Sequence, residues 1–258
     1  MKRTLGIIPA RYLSSRLPGK PLVDIGGKSM ICRVYDQCLK SASLTDVWVA
    51  TDDQRIYDEI TRNGGKALLS ATKHITGTER CFEALEMLKS QGENYDVLVN
   101  IQGDEPFINP RQIDLLTAVL SDSEDPIATL IYKITNDDDV WDENVVKVVC
   151  SLNDRAMYFS RSPIPFVKNT EKGAWKQRVN LYKHVGIYAF KTAVIPALVQ
   201  LQATPLEKAE NLEQLRWLES GFSIKTAVTV YETLSVDTPE DLEKARKQAL
   251  LSITNEQL

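Results

Sequence analysis

Three cations stand close together early in the chain, where Arg11, Arg16 and Lys20 are interleaved with Ser14, Ser15, Pro18 and Gly19. A guanidinium fork matches two phosphate oxygens at once, and an ammonium supplies a compact point charge. Glycine lets the backbone approach an anion closely. The segment directly follows an apolar run at 5–10, and open α/β sheets bind their ligands beyond the carboxyl ends of their strands. These residues therefore suit a triphosphate; the competing reading is a solvated basic loop.

Two carboxylates stand at comparable positions. The apolar run at 95–101 stops at Gln102-Gly103-Asp104-Glu105-Pro106, which puts Asp104 at the same sheet edge as the basic loop if both runs are parallel strands. Mg²⁺ takes one or two carboxylates together with phosphate oxygens and water. Val236-Asp237-Thr238-Pro239 offers a second carboxylate at a helix start, where either Asp237 or Thr238 is also suited to cap the helix. Residues 206–219 read as one helix with Leu206, Ala209, Leu212, Leu215, Trp217 and Leu218 all round its wheel. Glu210 and Glu213 in such a helix need partners, either sugar hydroxyls or a nearby Arg or Lys.

Several chemistries are excluded. No G-x-G-x-x-G is present, so a nicotinamide oxidoreductase lacks its pyrophosphate turn. Gly27-Lys28-Ser29 mimics the tail of a P-loop, but Leu22 stands where the earlier glycine belongs, and the segment reads as a turn before a helix. His74 and His184 are the only histidines, and the four cysteines form no CxxC pair, so no zinc pattern exists. Cys32, Cys38, Cys81 and Cys150 are expected to be buried, reduced thiols of a reducing compartment. No Ser-His-Asp or Cys-His grouping is readable. A net charge of −4 argues against nucleic-acid binding. The apolar run after Met1-Lys2-Arg3 ends at Pro9 and Arg11, too short for a secretory signal, and no stretch approaches the roughly 20 apolar residues of a membrane span. The expectation is a cytoplasmic protein with no membrane partner.

Positioning these groups requires strands and helices in alternation. Strands are predicted at 5–10, 47–51 and 95–101, and helices at 29–42, 54–62 and 79–90. The first of these helices puts Met30, Ile31, Val34, Tyr35, Cys38 and Leu39 on one half of its wheel. Near-continuous apolar strands separated by helices predict a mostly parallel sheet flanked by helices, an α/β fold. The second half is mixed, with strands expected at 128–132, 145–150, 184–190 and 224–230 and a last helix from Thr238-Pro239. The whole of 1–258 is expected to be one domain, with 125–190 a mixed β extension suited to dimerisation.

Taken together, the motifs resemble a known family. Ile8-Pro9-Ala10-Arg11 through Pro18-Gly19-Lys20-Pro21, Val49-Ala50-Thr51-Asp52, Thr76-Gly77-Thr78-Glu79-Arg80 and Gln102-Gly103-Asp104-Glu105-Pro106 look like the sugar-acid cytidylyltransferases. Tyr158-Phe159-Ser160-Arg161, Lys183-His184-Val185-Gly186-Ile187-Tyr188, Leu212-Glu213-Gln214-Leu215-Arg216 and the segment from Val236 to Leu242 narrow the likeness to the branch acting on 3-deoxy-manno-octulosonate (Kdo). It runs from about residue 4 to about residue 247.

The resemblance implies a Rossmann-like, glycosyltransferase-A-like nucleotidyltransferase that uses CTP and Kdo, requires Mg²⁺, forms a homodimer and feeds lipopolysaccharide assembly. It implies nucleotide contacts at Arg11, Arg16, Lys20, Arg80 and Gln102, with Asp104 and Asp237 as metal ligands and Lys20 beside them in catalysis. The sugar side falls on Arg161, His184, Tyr188, Glu213 and Gln214. Another acidic sugar, such as an 8-amino Kdo analogue or a sialic acid, is the nearest alternative, and a non-catalytic nucleotide-sensing module a more distant one. Ser29, Thr76 and Ser235 depart from the usual Pro, Ser and Gly.

Overall fold

The computed structural model describes residues 2–13, 17–71, 74 and 76–256. The chain forms two compact units, the first made of 1–114 and 233–258 and the second of 115–232.

The first unit alternates strand and helix as its hydrophobic pattern dictates. In chain order it contains β1 (Thr4–Ala10), α1 (Met30–Leu39), β2 (Asp46–Thr51), α2 (Gln54–Arg62), β3 (Ala67–Leu69), α3 (Gly77–Ser90) and β4 (Val97–Asn100). α4 (Pro110–Ser121) carries the chain across the boundary. The strands lie in the order β3-β2-β1-β4 and are all parallel, as expected. β3 was not foreseen, since three residues hold too little pattern to read. α1, α2 and α3 pack on these strands. Leu5, Ile7, Ile8, Val49, Leu98 and Val99 are fully buried between them, each contributing about 1.5–3 kcal/mol by leaving water.

The second unit is mixed. It holds β5 (Ile127–Lys133), α5 (Asp138–Trp141), β6 (Lys147–Cys150), β7 (Ala156–Ser160), α6 (Trp175–Arg178), β8 (Tyr182–Lys191), α7 (Ile195–Val199), α8 (Pro205–Glu210), α9 (Glu213–Glu219) and β9 (Ile224–Thr229). β5 runs antiparallel to β8 and parallel to β9, while β6 pairs antiparallel with β7 and β8. The single helix expected at 206–219 is in fact two. Asn211 caps α8 in the left-handed conformation (φ 53°, ψ 50°), which asparagine tolerates better than most residues. Of the apolar residues that filled one wheel, Leu206 and Ala209 fall on α8, which buries none of its residues, Leu215 and Trp217 are buried on α9, and Leu212 is buried between the two.

The chain then returns to the first unit with α10 (Pro239–Glu256). Val236, Leu242, Ala245 and Ala249 pack against Ile25 and Met30, so the end of the chain completes a core begun near its start. Among the described residues no helix is long and apolar enough to cross a membrane. All four cysteines are free; Cys32, Cys38 and Cys81 are buried, and Cys150 is half-buried.

Candidate active site

The basic loop leaves β1 and turns at Gly19, which sits at φ 68° and donates its N–H to the Tyr12 carbonyl at 3.2 Å. This turn delivers Lys20 to the carboxylates. Its Nζ lies 2.8 Å from Asp104 Oδ2 and 2.8 Å from Asp237 Oδ1. Burial works against the ammonium, but the two carboxylates hold its pKa above the ordinary value.

Backbone contacts explain why these three meet. Asp104 follows β4 through Gly103, where an added Cβ would stand 2.9 Å from the Pro9 carbonyl oxygen. Glycine lets that turn press against the end of β1. The Val236 N–H donates to the Asp104 carbonyl at 2.9 Å, which fixes Asp237 alongside. The cap of α10 is Thr238. Its Oγ1 accepts the Asp241 N–H at 3.2 Å, and Asp241 Oδ2 accepts the Thr238 N–H at 3.2 Å. With capping done by its neighbour, Asp237 faces Lys20. Ser235 is not among the non-glycine residues with positive φ, so its backbone does not need glycine.

A cavity of about 330 Å³ opens beside this triad, lined among others by Arg11, Leu13, Met30, Gln102 and Gly103. That volume falls in the range of small-molecule sites. Arg16 lies outside the described residues. Arg80 does not line the cavity: it is fully buried on α3, bonded through Nη1 to Ser70 Oγ, with Nη2 at 3.3 Å from Asp52 Oδ2. Nε and Nη2 make no hydrogen bond among the described residues. Taking a guanidinium out of water costs several kcal/mol, so Asp52 is what makes Arg80 tolerable at the end of β2.

Glu105, next to the triad, is also buried. Burial first, and then the charge of Asp104, push its pKa up to about 8. Thr76 and Glu79, singled out within one motif, form a capping box at the start of α3. Gly27-Lys28-Ser29 is the expected turn, with Gly26 and Gly27 both left-handed and the Ile25 N–H donating to the Lys28 carbonyl at 2.9 Å.

The residues expected on the sugar side all lie in the second unit. His184 and Tyr188 lie on β8 with ring centroids 5.1 Å apart, and Phe159 meets His184 edge-on at 5.1 Å. Burial pushes the His184 pKa down to about 3, so the imidazole is neutral. Tyr188 packs against Trp217 at 5.0 Å. Its hydroxyl is buried without a hydrogen-bond partner among the described residues. Burial, and then the charge of Glu213, raise its pKa well above the usual phenol value. Glu213 and Gln214 begin α9, Gln214 being buried.

Arg161, after β7, is anchored through Nε to the Glu210 carbonyl at 2.7 Å and through Nη1 to the Glu143 carbonyl at 2.9 Å. Glu210 is bonded within the second unit. Its carboxylate accepts the Ser160 hydroxyl at 2.6 Å and the Arg161 N–H at 2.9 Å, binding the end of β7 to α8.

Nearly the whole chain compares with proteins of known family. Residues 5–227 match the cytidylyltransferase family model. A 3-deoxy-manno-octulosonate cytidylyltransferase of Parabacteroides distasonis is 48% identical over 95% of this chain and 97% of its own length. That of Cytophaga hutchinsonii is 47% identical over 92% and 94%. The chain belongs to the 3-deoxy-manno-octulosonate cytidylyltransferase family. Among solved structures, a CMP:2-keto-3-deoxy-manno-octonic acid synthetase complexed with CTP is 41% identical, with a TM-score of 0.88 over 97% of this chain and 99% of that one. A cytidylyltransferase from Leptospira borgpetersenii, 15% identical with a TM-score of 0.61, shares the fold.

Within this cytidylyltransferase scaffold, several supporting residues were not legible beforehand. Asp52 was visible in the Val-Ala-Thr-Asp motif, but its role as the partner of Arg80 was not. Lys147 is fully buried and donates to the Asp142 and Val145 carbonyls at 2.7 and 2.6 Å, steadying the turn that also holds Arg161. Backbone acceptors of this kind leave no mark in a sequence.

Proposed function

We propose that the protein transfers CMP from CTP to the anomeric hydroxyl of Kdo, releasing pyrophosphate and forming the CMP-Kdo used in lipopolysaccharide assembly. The observation that carries this is the meeting of Asp104 and Asp237 on Lys20 beside a cavity of ligand size, in a chain of this family. The sugar hydroxyl attacks the α-phosphorus in line, and pyrophosphate departs opposite it. Such transfers depend chiefly on positioning and charge neutralisation. Arg11 and Lys20 supply positive charge for the triphosphate, with Gln102 on the cavity wall. Arg161 suits the sugar carboxylate, and His184, Tyr188, Glu213 and Gln214 suit its hydroxyls.

Mg²⁺ fits the donor set. Asp104 and Asp237 each present a carboxylate oxygen to the Lys20 ammonium at 2.8 Å, so the two can face a common cation. Among the described residues no cluster of three or more His, Cys, Asp or Glu exists, so phosphate and water oxygens would complete the shell. Bound by Asp104 and Asp237, the ion would offset triphosphate charge and lower the pKa of the attacking hydroxyl.

A homodimer built through 125–190 and a cytoplasmic location complete the proposal. Leu152 and Met157, exposed at the β6–β7 hairpin, support the former; a monomeric mass by light scattering would exclude it. The deciding assay is pyrophosphate release with Mg²⁺, crossing CTP, UTP, ATP and GTP against Kdo, its 8-amino analogue and a sialic acid. Release with CTP and Kdo alone is expected. Preference for another sugar would redirect the second unit's residues, and CTP binding without release by any pair would favour a sensing module.

A further inference from the structure

β8 carries an irregularity opposite Thr129. Thr129 pairs with Tyr188 while its neighbour Leu130 pairs with Val185, so Gly186 and Ile187 are extra residues on β8. The bulge re-aims the strand's carbonyls. Thr129 is fully buried, and its Oγ1 lies 2.8 Å from the Ile187 carbonyl oxygen and 3.3 Å from that of Val185. His184 Nε2 lies 2.9 Å from the same hydroxyl.

One hydroxyl has one proton to give. Both carbonyls only accept, and the proton goes to the nearer, Ile187. The hydroxyl then offers lone pairs alone to Nε2, which must carry the N–H. The opposite arrangement, with Thr129 donating to the imidazole, would leave two lone-pair oxygens 2.8 Å apart in a buried site. A neutral imidazole bears one N–H, so Nδ1 is a bare acceptor. It has no partner among the described residues.

We infer that Thr129 is a positioning residue: it fixes His184 as the Nε2–H tautomer, so that Nδ1 accepts a hydrogen bond from a sugar hydroxyl. This rests on the sugar-binding role proposed for the second unit. A neutral acceptor repels a carboxylate, so the acid group of the sugar must be read elsewhere, with Arg161 the available cation. His184 thus discriminates by demanding a donor, and it does so through a side chain that never touches substrate.

Long-range ¹H–¹⁵N correlation of the histidine rings tests this directly. The chain has only two histidines, and His74→Gln assigns the signals. Wild-type protein at neutral pH is expected to show His184 with Nε2 protonated and Nδ1 bare. An Nδ1–H or doubly protonated ring would overturn the inference without any variant being made. Thr129→Val should yield a mixture of tautomers and raise KM for Kdo about tenfold, the worth of one hydrogen bond, with KM for CTP nearly unchanged. Thr129→Ser should restore both signals. A folded Thr129→Val variant with unaltered KM for Kdo would refute the positioning role. Absence of Kdo-dependent release by the wild type would instead overturn the functional proposal and the sugar half of this one, while the spectrum still decides the tautomer.

Discussion

Lys20 and Asp237 are 217 residues apart in the chain and 2.8 Å apart in space, Nζ to Oδ1. The same ammonium holds Asp104, so one positive charge keeps two carboxylates together. Replacing it with methionine leaves two like charges facing each other. Lys20→Met should lower kcat by about 10²–10³-fold, the usual cost of losing one preorganised charge at a reacting centre. Its melting temperature should also rise on adding Mg²⁺ by more than that of the wild type. Equal Mg²⁺ responses in the two proteins would show that the carboxylates do not share a cation position.

Asp104→Asn keeps the shape of the side chain and removes its charge. Turnover should fall by at least about 10²-fold, while the circular dichroism spectrum and CTP affinity at saturating Mg²⁺ stay close to wild type. Near-normal turnover in steady-state assays would remove Asp104 from the chemistry.

Glu105 ties stability to pH. Unfolded, it ionises near 4.5; folded, near 8. Between these values the folded protein holds a proton that the unfolded chain has released. Stability should therefore fall as pH rises through that window, by up to about 1.4 kcal/mol per pH unit from this group. Glu105→Gln mimics the protonated form and should flatten the decline, with melting temperatures converging at pH 5 and separating in favour of the variant at pH 8. Parallel melting curves of the two proteins across pH 5 to 8 would count against a buried, protonated Glu105.

Glu210 is bonded to Ser160 and to the backbone of Arg161, and so governs where that guanidinium points. Glu210→Ala should raise KM for Kdo by about tenfold, from one or two lost hydrogen bonds, and change KM for CTP little. A matching rise in both constants would indicate general loosening instead of a local effect on Arg161.

The parallel strands of the first unit were legible because strands covered on both faces read as unbroken apolar runs, as in Leu98 and Val99. The basic loop and Asp104 were legible because each directly follows such a run. Asp237 and Thr238 both suit a helix cap, and only the hydrogen bonds of Asp241 show which of them performs it. The break at Asn211 was hidden because Leu206, Leu212 and Leu215 fit a single wheel; a left-handed residue leaves no gap in hydrophobic periodicity. Arg161 and Lys147 were unreadable in detail because their acceptors are main-chain carbonyls. Thr129 looked like any β-branched residue of a strand until the bulge on β8 gave its hydroxyl three neighbours.

The first unit is interrupted by the second and closed only by α10. Ribosomal synthesis delivers residues 115–232 as one uninterrupted stretch, while Ile25 and Met30 wait for Val236, Leu242 and Ala249. Until the segment before α10 emerges, Lys20 lacks one of its two carboxylates and Asp104 lacks the Val236 amide beside it. A nascent chain is therefore unable to assemble its charge triad until Val236 and Asp237 have been synthesised, however early Lys20 and Asp104 emerge.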